Sequence, residues 1–254
     1  MTKNEKEGGF ISHLTELRSR LIHSFIFLFV FFILGYFFAE YLYGFLVEPY
    51  AQAVKNDGTE RRLIFTALQE TFLTYLKVAF FASFFVTSPF ILIQVWKFIA
   101  PGLYDHEKSA IMPYLAITPI LFFLGGALVY YLIMPLAIKF FISFESSGLV
   151  TNLPIQLEAK VNEYLSLIMK LIFAFGLSFQ LPVVLSLLAR VGVVDSEFLK
   201  KRRKYVVVII FTAAAILTPP DPITQIGLAI PLLILYELSI FSVSLIEKKS
   251  KEDA

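Results

Sequence analysis

Glu16 and Arg20 stand four residues apart in the segment 9–21, where Phe10, Leu14, Leu17 and Leu21 recur at helical spacing. On a helix that spacing gathers the apolar residues into one stripe and lets the acid pair with the base, at about 0.3–0.5 kcal/mol. Two readings fit: an interfacial helix carrying one surface ion pair, or a carboxylate held at the membrane surface for a ligand. Two more acids, Asp105 and Glu107, follow the helix-breaking Pro101-Gly102 pair, with Phe98 and Tyr104 beside them. Carboxylates next to aromatic rings suit a guanidinium, because Arg pairs with carboxylates in bidentate fashion and stacks on ring faces, which Lys does poorly. Either acid could equally cap the helix that follows.

Deeper in the apolar segments, polar residues are costly and therefore informative. Gln180 lies far inside the fourth segment, just ahead of Pro182. It is neutral, so it suits a hydrogen bond across a helix contact better than a proton relay. Lys77 and Lys170 sit near helix ends, where snorkelling explains them as well as function does. Glu237 falls near the inner end of the last segment and reads as interfacial. Asp221 followed by Pro222 forms a good N-cap and first-turn pair, and it closes the turn Thr218-Pro219-Pro220.

Catalytic chemistry finds no footing. His13, His23 and His106 are not at metal-site spacing, and no His-Glu-x-x-His, Gly-x-Ser-x-Gly or Walker-type glycine loop occurs. Cys is absent, which excludes disulfides, iron–sulfur clusters and Cys-ligated zinc. We expect no enzyme, no metal and no cofactor; any work the protein drives must draw energy from elsewhere.

The elements that carry these residues are long apolar runs. Of 254 residues 57% are hydrophobic and only 17% charged, and the mean hydropathy is +0.75. A soluble domain carries about 25% charged residues, so this composition excludes an ordinary soluble protein. The net charge of +2 is too small to suggest nucleic-acid binding. A hydrocarbon core about 30 Å thick needs about 20 apolar residues per helix. Six segments approach that test, at about 21–46, 72–99, 110–144, 161–191, 205–217 and 223–246. They predict an all-α polytopic membrane protein of one domain over 1–254, without an internal repeat. The last two spans look short: 205–217 is only 13 residues, and Pro231 interrupts the sixth. Pro89, Pro113, Pro119, Pro135 and Pro182 mark kinks and suggest a curved wall of helices. The mixed charge of Lys3–Glu7 is not that of a cleavable signal or transit peptide. With both termini in the cytoplasm, fifteen Lys and Arg fall inside and five outside, the inside set including the run Lys200–Lys204. This is the positive-inside pattern.

Four stretches taken together identify a family. HLTELRSRL at 13–21, SPFILIQVWKFIAPGLYDHE at 88–107, FGLSFQLPV at 175–183 and LTPPDPITQ at 217–225 occur in an order and spacing that resemble the TatC family of the twin-arginine translocase, across essentially the whole chain. That resemblance implies a receptor for precursors whose signal peptides carry an Arg-Arg pair, working in the Sec-independent export system. It implies that Glu16 and Arg18 are the polar residues of the N-terminal motif, and that Phe98 and Glu107 belong to the loop that reads the arginines. The family often has Glu where this chain has Gln180, so an ionised acid is replaced here by a hydrogen-bonding amide. Asp221 and Gln225 match the external turn before the last helix, with a structural or partner-contact role. The implied partners are single-span proteins resembling TatA and TatB, docked on a concave wall beside a thinned bilayer, together with further copies of the chain. The implied energy source is the proton-motive force, and the implied location is a bacterial plasma membrane. The competing readings are a small-solute or ion secondary transporter, which would want polar groups along a midplane path, and a scaffold indifferent to Arg-Arg over Lys-Lys.

Overall fold

The computed structural model describes residues 3–55, 61–99, 108–146, 153, 155–218 and 221–252. Among them every regular element is helical. In chain order these are α1 (Lys3–Phe37), α2 (Ala39–Lys55), α3 (Glu70–Ile99), α4 (Lys108–Leu128), a π-turn (Val129–Ile133), α5 (Met134–Ile142), α6 (Val161–Ser178), α7 (Leu181–Arg190), α8 (Ser196–Leu217) and α9 (Pro222–Glu252). Five stretches are long and apolar enough to cross a membrane: Leu14–Phe37, Glu70–Trp96, Ala116–Ile142, Val161–Arg190 and Thr224–Lys248. Their outward faces carry large exposed apolar side chains such as Phe25, Phe29 and Phe241, as expected where the solvent is hydrocarbon.

The helices correct the sequence-based boundaries in several places. The first apolar segment, expected as one span over 21–46, is two helices that meet at Phe38, where the Leu42 N–H still reaches the Phe38 carbonyl at 3.1 Å. The fourth segment breaks at Phe179-Gln180, because Pro182 has no N–H and its ring displaces the carbonyl four residues back. Pro135 is accommodated differently. Ahead of it the ladder widens to a π-turn, in which the Met134 N–H bonds the Val129 carbonyl five residues back. The last helix is not short: α9 runs through Pro231 for 31 residues. In hydrocarbon, ending a helix leaves backbone groups unsatisfied, whereas one proline removes a single bond. The helix of the fifth apolar segment, α8, begins earlier than its apolar part, at Ser196, with the Asp195 carboxylate accepting from the Phe198 N–H at 2.5 Å.

The chain groups into two compact units, residues 1–42 with 76–119 and residues 43–75 with 120–254. In the first, α1 lies close along α3. The Ser83 hydroxyl donates to the Phe31 carbonyl at 2.8 Å, and the Phe27 and Phe90 rings meet at 4.5 Å. Ser83, Thr87 and Ser88 also bond carbonyls of their own helix, which satisfies hydroxyls where water is absent. In the second unit α4 approaches α6 so closely that a Cβ on Gly125 would stand 2.7 Å from the Phe175 carbonyl oxygen. α7, α8 and α9 enclose Leu199, Tyr236, Ile240 and Val243, and the Tyr236 hydroxyl donates to the Leu199 carbonyl at 2.8 Å. Gly192, at φ +75°, turns the chain out of α7 toward α8, a left-handed position that glycine adopts without strain.

Candidate functional site

In the first unit, Glu16 and Arg20 form the pair their spacing predicts. The Arg20 Nε and Nη2 both donate to Glu16 Oε1, at 3.0 and 2.6 Å. Both side chains are partly exposed, at 25% for Arg20 and 34% for Glu16, so the pair alone contributes little to stability. Its placement is what matters. The third donor, Arg20 Nη1, reaches Gln94 Oε1 on α3 at 2.9 Å. Gln94 stands one turn before Phe98, which is half-buried on the same helix. Thus Glu16, Arg20 and Gln94 form one charge-assisted cluster, with Phe98 one turn further along. Arg18 lies on the exposed side of α1. Asp105 and Glu107 lie outside the described residues. Gln94 was absent from the sequence-based candidates because an amide inside an apolar helix carries no spacing signal toward a residue 74 positions away.

The second unit places the other candidates. Gln180 is 4% exposed. It occupies the junction between α6 and α7, its N–H bonded to the Leu177 carbonyl and its carbonyl accepting from Val184. Asp221 is also buried, as the cap of α9: Oδ1 accepts from the Thr224 N–H at 2.7 Å, and Oδ2 accepts from the Thr224 hydroxyl. The carboxylate therefore meets the helix terminus where backbone N–H groups lack internal partners. Gln225 Nε2 donates to the Phe211 carbonyl at 3.3 Å and links α9 to α8.

Another polar cluster in this unit escaped sequence reasoning. Arg61, with its side chain 4% exposed, pairs with Glu145 at 2.5 Å. Glu145 Oε1 also accepts from the Leu157 N–H at 2.9 Å. Beside the pair, Tyr50, Gln52, Lys55, Arg62 and Glu158 line an open groove of about 1240 Å³. Burial pushes the Tyr50 phenol above its ordinary pKa; Arg61 pulls it partly back and Glu145 adds to the rise. Among the described residues no cluster of His, Cys, Asp and Glu could hold a metal ion.

A multi-pass helical membrane protein, with a carboxylate–guanidinium–amide cluster at one helix end, is the class that fold and site define. The profile of the Sec-independent protein translocase protein (TatC) family matches residues 12–231. The TatC protein of Magnetococcus marinus is 49% identical over 248 residues, covering 98% of this chain and 88% of that protein. The Escherichia coli K12 TatC is 37% identical over 231 residues, covering 91% and 86%. A crystal structure of the twin-arginine translocase receptor TatC superposes with a TM-score of 0.78 at 39% identity, covering 92% of this chain and 98% of that one. The chain belongs to the TatC family: it is a protein translocase component and not an enzyme. This membership removes the support for a small-solute transporter.

Proposed function

We propose that this chain is the receptor and core component of a twin-arginine export system, binding the Arg-Arg signal peptides of folded precursors at its cytoplasmic face. The observation that carries this reading is the Glu16–Arg20–Gln94 cluster with Phe98 one turn further along α3. It supplies a carboxylate already engaged with a guanidinium, tied to α3 one turn before Phe98, at the end of the helix that leads into the Asp105–Glu107 acids. Those groups favour Arg over Lys, since a planar guanidinium takes two parallel hydrogen bonds and a ring face together. In this reading Glu107 and Glu16 receive the signal peptide's charge, Phe98 flanks it, and Arg18 and Arg20 hold the N-terminal helix in place.

Both termini lie in the cytoplasm, as the distribution of Lys and Arg favours, and α8 is the fifth of six spans in a bacterial plasma-membrane protein. Its apolar part, 205–217, is 13 residues, about 20 Å at 1.5 Å per residue, so the span is short and the bilayer thins beside it. Single-span partners resembling TatA and TatB, and further copies of the chain, assemble with it, and Gln180, Asp221 and Gln225 serve that assembly. Transport draws on the proton-motive force.

The test is photo-crosslinking from a probe beside Glu107 to a precursor in native membranes, comparing Arg-Arg with Lys-Lys signal peptides. Strong crosslinking that requires Arg-Arg supports the receptor reading. Equal crosslinking to both, or none to either, overturns it in favour of a scaffold.

A further inference from the structure

The first turns of α8 carry five consecutive basic residues, Lys200 to Lys204. Two of them are neutralised within the chain: Lys201 pairs with Glu197 at 2.9 Å and Arg203 with Glu237 at 2.6 Å. The other acids on this rim are also engaged. Asp195 caps the Phe198 N–H, and Glu247 accepts from the N–H and hydroxyl of Ser196, each at 2.6 Å. Among the described residues that leaves Lys200, Arg202 and Lys204 without an acidic partner, all three exposed.

Their setting is more specific than loose surface charge. The Arg202 guanidinium lies over the Phe198 ring at 5.2 Å and the Tyr205 ring at 5.7 Å, and Lys204 Nζ lies 5.1 Å from the centre of the same Tyr205 ring. Stacking restrains a side chain that otherwise loses much rotamer freedom on binding. Directly along the helix from this rim, Tyr205, Ile209 and Ile216 stand at helical spacing on one exposed apolar face, at 52%, 64% and 69% exposure. Cations at one end, a phenol at the boundary and aliphatic side chains beyond reproduce the profile of a phospholipid, from phosphate through interface to acyl chain.

We propose that the N-terminal end of α8 and the exposed face beyond it form a binding site for an anionic phospholipid, with Arg202 and Lys204, the two cations against the Tyr205 ring, holding the phosphate, Lys200 adding positive charge from further round the helix, and Tyr205, Ile209 and Ile216 lying along an acyl chain. An acidic soluble segment would match the cations but would leave the apolar half of the face unused, so the lipid is favoured.

The test is native mass spectrometry of the full chain released from detergent micelles containing dioleoylphosphatidylglycerol or dioleoylphosphatidylcholine. The wild type is expected to retain phosphatidylglycerol at least about fivefold better, since each basic residue near an anionic surface contributes about that factor, and raising the salt should erode the preference. The triple variant Lys200→Gln/Arg202→Gln/Lys204→Gln should bring the preference down to about one, while Lys139→Gln, outside the rim, keeps it. If the triple variant unfolds, Arg202→Lys is the second test: it keeps the charge, loses the stack, and should fall between wild type and triple variant. Equal retention of the two lipids by the wild type overturns the proposal, as does full retention of the preference in a folded triple variant. Displacement of the lipid by inorganic phosphate alone would make this a soluble-anion site. Retention of a polyglutamate peptide without lipid preference would make it an acidic-partner site; either result overturns the lipid reading.

Discussion

Arg20 and Gln94 are 74 positions apart in the chain and 2.9 Å apart in space, and the Gln94 amide joins the Glu16–Arg20 pair on α1 to the helix bearing Phe98. A hydrogen bond to a charged donor contributes about 1.5–3 kcal/mol when sheltered, and partial exposure here discounts it. Gln94→Leu should therefore lower thermal stability in detergent by about 1 kcal/mol while weakening precursor crosslinking much more, because it frees Arg20 to turn away. Arg20→Ala and the double variant should be no worse than Gln94→Leu by more than the pair's share, giving clear non-additivity in a double-mutant cycle. Additive losses would mean that the contact does not couple the two helices.

The receptor reading places the arginine-binding charge at Glu107. Glu107→Ala should weaken binding of an Arg-Arg precursor by about tenfold or more, the scale of one charge-assisted hydrogen bond, while Glu107→Asp retains part of it. Unchanged precursor binding in the alanine variant would sink the assignment.

The Arg61–Glu145 pair, at 2.5 Å with Arg61 almost completely enclosed, should respond unlike an exposed pair. Removing one partner leaves the other buried without its counter-charge, at about 3–5 kcal/mol. Glu145→Leu should therefore lower the unfolding temperature sharply. Replacing both by apolar residues of similar volume should recover most of the loss. A double variant no better than the single one would show that the Leu157 N–H, left without Glu145 Oε1, dominates the cost.

Asp221 is expected to matter as an acceptor more than as a charge. Asp221→Asn keeps an oxygen for the Thr224 N–H and should change stability by less than about 1 kcal/mol, whereas Asp221→Ala should cost about 1–2 kcal/mol, the upper range for a lost cap. Thermal unfolding of the two variants side by side distinguishes these outcomes.

Tyr50 predicts an alkaline weakness. Its folded pKa is raised, by burial first and Glu145 second against the pull of Arg61, so the neutral phenol is favoured in the folded state. The sign follows: its contribution is complete below the unfolded value of about 10 and is lost as pH rises through the folded value. Tyr50→Phe should be near neutral at pH 7, since among the described residues the Tyr50 hydroxyl is buried without a hydrogen-bond partner, and it should flatten the stability decline above pH 10. A decline identical to wild type would place the alkaline sensitivity elsewhere.

Much of this was legible in the chain because it is local. Apolar runs longer than a hydrocarbon core make helices, since nothing else satisfies the backbone there. Glu16 and Arg20 meet because four residues make one helical turn, and Asp221-Pro222 starts α9 because a capping oxygen followed by a residue lacking N–H suits a helix start. Prolines were harder to read. Pro182 ends one helix, Pro135 widens another and Pro231 leaves α9 unbroken, since the outcome depends on what neighbours can offer the displaced carbonyl.

What the sequence alone determined is the helical character of the chain, its membrane-length apolar runs, and the contacts made within one turn of a helix. The tertiary structure alone decided that Gln94 receives Arg20, that Arg61 is buried against Glu145, and that Glu197 and Glu237 neutralise only two of the five cations on α8. Periodicity shows which side of a helix a residue occupies but not which helix lies opposite. That depends on the simultaneous packing of all of them.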